Sequence, residues 1–122
     1  MKNNLLIIIL IIISITAFAQ KKVTLETKQE VIEAAKNEFK LAMQAPQGEL
    51  YLFKQENNIS GEYTMDITIH EKGKVATVFV VSNKGGTIKQ QNLVKDFIKE
   101  FRLNFKMPKG KDYKFQYIFN FN

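Results

Sequence analysis

Cysteine and tryptophan are absent from the 122 residues, histidine occurs once, and proline only twice. Without cysteine there is no disulfide, no thiol nucleophile and no cysteine-based zinc site, so stability must come from packing. One histidine cannot supply a conventional zinc site either. With so little proline there is no stiff extended spacer. Only one long apolar run exists, Leu5 to Ile13, and it falls short of the roughly 20 residues a spanning helix needs. Acidic residues are in the minority, 12 against 18 basic, for a formal net charge of +6.

The apolar run has the make-up of an export signal. Met1-Lys2-Asn3-Asn4 is a weakly positive start, and Ala17-Phe18-Ala19 fits the small-x-small rule for cleavage before Gln20. The expectation is a signal peptide over 1–19 and a single domain over 20–122, periplasmic or secreted, with no stable membrane span after cleavage. The rival is an uncleaved anchor, which Lys21 and Lys22 slightly favour because positive charge resists export. For an exported chain nucleic acid is not the expected partner.

Thr27-Lys28-Gln29-Glu30 has the form of a capping box, which predicts a helix over about 27–44. Val31, Ile32, Ala35, Phe39, Ala42 and Met43 share one face of it. Pro46 and Gly48 stop it. Leu50-Tyr51-Leu52-Phe53 within 49–56 is short and apolar; we read it as a short helix, with a strand as the alternative. Tyr63, Met65, Ile67 and Ile69 alternate with polar residues, the period of a half-buried strand. Gly73 supplies the tight turn into a second strand, Lys74 to Ser82. That strand is apolar on both faces, with Ala76, Val78 and Val80 on one and Val75, Phe79 and Val81 on the other. This predicts a central or covered position. A helix over about 89–103 follows, buried through Leu93, Val94, Phe97, Ile98 and Phe101. Met107-Pro108-Lys109-Gly110 turns the chain into a last strand, with Tyr113, Phe115, Tyr117, Phe119 and Phe121 at every second position. The fold class is α+β: a small antiparallel sheet of three strands, or four if 49–56 is extended, on two helices. The order is α-(α or β)-β-β-α-β, with a core unit over 61–121.

No catalytic constellation emerges, and no motif calls for a cofactor. His70 lies at a strand end on the polar face, where general-base work would need a carboxylate and a nucleophile beside it. Glu62 and Asp66 share a strand face with Thr64 and Thr68, as on a solvated sheet. Lys84-Gly85-Gly86-Thr87 lacks the spacing of a phosphate loop and reads as a strand-to-helix turn. Lys99, Arg102, Lys106, Lys109, Lys111 and Lys114 form a basic cluster that suits an anionic partner or a solvated face. The aromatic strand has the alternation of an outer-membrane barrel strand, but a barrel needs about eight such strands. Its rings instead suit the floor of a core. The expectation is a binding module rather than an enzyme.

The ordered set of motifs resembles the TonB C-terminal domain family. Ile59-Ser60-Gly61 leading into Tyr63, Met65, Ile67 and Ile69 resembles the family's G-I-x-G-x-V-x-V opening. Glu71-Lys72-Gly73-Lys74-Val75 stands where the family has x-D-G-x-V, and Val78-Phe79-Val80-Val81-Ser82 where it has V-x-V-x-x-S. Phe105-Lys106-Met107-Pro108 with Gly110-Lys111 resembles the link to the final strand. The likeness runs from about Gly48 to Phe121. The chain departs from the family in lacking the Tyr-Pro opening, the Leu-Asp helix start, the Trp and the Pro-rich segment of the energy transducers, so a complete transducer is not expected. The resemblance implies that the last strand is an edge that accepts an extended peptide by β-augmentation. The implied partner-binding residues are Lys111, Tyr113, Lys114, Phe115, Gln116, Tyr117, Ile118 and Phe119. The implied partner is an envelope protein or extended peptide, and the same edge can pair two copies into a homodimer. The alternative is a secreted structural or inhibitor-like domain that covers another protein with its sheet face.

Overall fold

The computed structural model describes residues 22–122; the expected signal peptide lies outside them. In chain order the elements are β1 (Val23–Thr24), α1 (Lys28–Ala42), α2 (Glu49–Asn57), β2 (Glu62–His70), β3 (Lys74–Lys84), α3 (Ile88–Glu100), β4 (Phe105–Lys106) and β5 (Tyr113–Asn120). Strands β3, β2 and β5 form an antiparallel sheet in that order, and β1 pairs with β4 in parallel. The fold is α+β, and 49–56 is helical.

Helix α1 starts where the threonine signal places it. Thr27 Oγ1 accepts from the Glu30 amide at 3.2 Å. The reciprocal half of the box differs: the Thr27 hydroxyl donates to the Glu30 carboxylate at 3.0 Å. The full box sits instead on α3, where Thr87 and Gln90 exchange bonds at 3.1 Å in each direction. Helix α3 ends at Glu100, short of the expected Leu103, because Phe101 is extended and Leu103 turns to donate to the Gly73 carbonyl at 3.0 Å. Helix α2 ends on Asn58 in the left-handed region at φ 52°, which asparagine tolerates. It is fixed by buried Leu50 and by Phe53 stacked on Phe97 at 4.4 Å.

The core lies between the helices and one face of the sheet. Tyr63, Met65, Ile67 and Ile69 of β2 are fully buried, as their alternation requires. Phe115 and Phe119 of β5 are buried with Phe121 beyond it, while Tyr113 and Tyr117 are half-buried at its margin. Phe39 of α1 is the hub, with ring centroids 5.1 Å from Phe101, 5.4 Å from Tyr117 and 5.2 Å from Phe119. At roughly 25 cal/mol per Å2, each large side chain buried this way contributes about 1.5–3 kcal/mol. Two glycines are structural necessities. Gly73 sits at φ 74° in the hairpin, where a Cβ would also meet the Phe105 carbonyl at 2.5 Å; a Cβ on Gly86 would meet the Tyr63 hydroxyl at 1.8 Å.

The expected place of the second strand is also corrected. β3 is not central: it is an edge strand, and β2 occupies the middle. Two register shifts against β2 explain the misreading. They leave Ala76 and Val81 as extra residues without a partner on β2. Strict alternation would separate Val75 from Val78 and Val80. The bulge at Ala76 brings all three onto the core face, opposite Ile69, Ile67 and Met65, and leaves Phe79 outside opposite Asp66.

Candidate functional site

Helices cover one face of the sheet, and the other face is open. Register assigns its rows: Phe79, Asp66 and Gln116 in one, Thr77, Thr68 and Lys114 in the next, Ser82, Thr64 and Ile118 in a third. The row centred on Asp66 is held by Gln116 Nε2, which donates to its Oδ1 at 3.2 Å, with Lys114 Nζ 4.0 Å from Oδ2. Phe79 is 67% exposed, Ile118 53% and Val81 47%. Apolar area on an otherwise wet sheet is the informative exception.

β5 pairs only with β2 among the described residues, so its second edge is free of strand partners. Its register with β2 runs from Glu62–Asn120 to Ile69–Tyr113 without a shift. The Phe121 amide donates to the Gly61 carbonyl at 2.9 Å. In an antiparallel ladder both backbone groups of a residue point the same way, and the direction alternates. Phe119, Tyr117, Phe115 and Tyr113 therefore bond to β2, while Lys114, Gln116, Ile118 and Asn120 turn their N–H and C=O groups to the free edge. The proposed partner-binding residues thus divide into two kinds. Lys114, Gln116 and Ile118 offer both backbone and side chain to the outside. Tyr113, Phe115, Tyr117 and Phe119 support the strand from the core side. Lys111 lies before the strand, in a turn where its amide donates to the Pro108 carbonyl at 3.3 Å.

His70 is partnered. Its Nδ1 bonds the Asp112 carboxylate, and its Nε2 lies 3.7 Å from Glu71 Oε1. Among the described residues no group of three His, Asp or Glu is placed to hold a metal ion. Gly85 and Gly86 make the strand-to-helix turn: the Gly86 amide is taken by Asn83 Oδ1 at 3.0 Å rather than left free for an anion. Glu38 of α1 accepts from the Asn104 amide at 2.8 Å, and its burial raises its pKa from the ordinary carboxylate value.

The basic cluster is divided by the fold. Lys114 joins the open face and Lys99 lies exposed on α3. Arg102, Lys106 and Lys109 meet Lys22 and the hairpin lysines Lys72 and Lys74 around one cavity of about 680 Å3. The hairpin lysines and Lys22 escape sequence reasoning because they come from segments far apart in the chain. The exposure of Phe79 escaped it because the bulge is invisible to strict alternation.

Comparison with protein-family models, with curated proteins and with solved structures gives no match. Among the described residues no helix is long and apolar enough to cross a membrane.

Proposed function

We propose that this domain is a non-enzymatic binding module of the cell envelope that takes an extended peptide onto the free edge of β5. The observation that carries the reading is the unbroken register of β5 beside an unpaired edge. The resemblance to TonB C-terminal domains points the same way. The incoming strand would bond to the backbone groups of Lys114, Gln116, Ile118 and Asn120, and its side chains would meet Lys114 and Ile118 on the open face. Each backbone bond adds about 0.5–1.5 kcal/mol net. Association costs several kcal/mol of lost freedom. Backbone pairing alone therefore supports weak binding, and these side chains supply the selectivity.

Amide shift mapping with extended peptides from envelope proteins tests this. Shifts along 111–121 are expected, and Gln116→Pro, which removes one outward N–H while sparing the ladder to β2, should abolish them. A peptide that binds without moving these amides sinks the idea.

A second reading, docking through the open face, is favoured by exposed Phe79 and Ile118. Thr77→Lys and Phe79→Lys together should abolish face docking and leave edge pairing intact, because both lie on β3, across β2 from the β5 edge.

A further inference from the structure

Six cations, Lys22, Lys72, Lys74, Arg102, Lys106 and Lys109, surround the 680 Å3 cavity beside the β2–β3 hairpin, with Glu71 as its one acid. Three separate segments bring them there, and backbone bonds hold those segments together. Lys74 bridges Arg102, the Leu103 amide donates to the Gly73 carbonyl at 3.0 Å, and the Met107 amide donates to the Glu71 carbonyl at 2.9 Å. The β1–β4 pair ties in the segment after Lys22, whose Nζ donates to the Leu103 carbonyl at 3.0 Å. The cations are thus gathered by the fold against their mutual repulsion.

None of the six has a carboxylate within salt-bridge distance among the described residues, where the ion pairs involve only His70 and Lys114. Glu71 is occupied: its Oε2 accepts from the Gly110 amide at 3.0 Å and its Oε1 lies beside His70. A single carboxylate would leave most of this charge uncompensated. A ligand with several phosphoryl groups matches it, because the Arg102 fork can take two oxygens of one group while lysines act as movable point charges on the others. The cavity lies within the usual range for small-ligand sites, about 300–1,000 Å3.

We propose that this groove binds a ligand carrying several phosphoryl groups, either free in solution or on a lipid headgroup. The test uses the full chain with two probes: tripolyphosphate, and phosphatidylcholine vesicles with and without one-fifth cardiolipin. At physiological salt, tripolyphosphate should shift the amides of 71–74 and 102–109. Lys74→Glu with Arg102→Glu should weaken binding at least about tenfold, against less than about threefold for Lys36→Glu with Lys40→Glu, which changes net charge equally elsewhere. Should the double reversal fail to fold, Lys74→Gln with Arg102→Gln serves with the same expectation. Cardiolipin-dependent capture that tripolyphosphate reverses assigns the source to lipid; tripolyphosphate binding without capture assigns it to a soluble ligand. Absence of amide shifts, or equal losses in the site and control variants, overturns the proposal.

Discussion

The two edges of the sheet are built differently. β3 is interrupted twice in its register with β2, and its first residue is bridged by Arg102. β5 runs in unbroken register and has no strand on its outer side among the described residues. Bulges add local twist and disrupt the row of backbone groups, one of the ordinary ways a protein blunts an edge. The contrast teaches that one edge is guarded while the other keeps the straight geometry that strand addition needs. Charge at Lys114 is the main guard left on β5.

The largest way to break this contrast is from below. Phe39→Ala removes the ring on which Phe115, Tyr117 and Phe119 rest. Urea titration should show a loss of about 3–5 kcal/mol. Hydrogen exchange should show β5 opening before β3. Next comes the alternation itself. In the unaltered protein the amides of Phe115, Tyr117 and Phe119 should exchange at least about tenfold more slowly than those of Lys114, Gln116 and Ile118, about 1.4 kcal/mol in opening free energy. Equal rates would refute the assigned backbone directions. On the other edge, Phe79→Ser should change stability by no more than about 1 kcal/mol in the same titration, because its ring is mostly in water.

The smallest effect concerns α1, which lies over the buried side of β5. Burial raises the Glu38 pKa, so the folded state binds that proton more readily than the unfolded chain. Glu38 therefore adds stability as pH falls from its raised folded value toward the ordinary carboxylate value, and loses that contribution as pH rises through the folded value. Glu38→Gln should flatten this part of the stability–pH curve measured by thermal unfolding. An unchanged slope would mean that Glu38 carries no linkage.

Much of the fold was legible because its signals are local and periodic. β2 and β5 alternate cleanly, and α1 carries its apolar stripe and threonine cap. Strict alternation misplaces β3, because two extra residues break its period. The β1–β4 pair carries no local signal, since two-residue strands have no period and this pairing joins Val23 to Phe105. The same reason hides the cationic groove, half of which comes from Lys22 and the hairpin. For the edge, strand identity was readable from the sequence, whereas which backbone groups face outward needed the register and the Phe121–Gly61 bond.

The register of the sheet also has a kinetic consequence. β2 meets β3 through a three-residue turn, so that hairpin closes early. It meets β5 only after α3 and the link have been made, across more than forty positions. Closing the longer loop costs about 2 kcal/mol more than closing the hairpin, and β5 is accordingly expected to dock last. Until it does, the chain carries one open apolar edge, the side of β2 that β3 does not pair, and a free segment rich in phenylalanine and tyrosine. The interval before docking is thus the chain's most vulnerable moment. Another copy's aromatic strand could then take the place of its own.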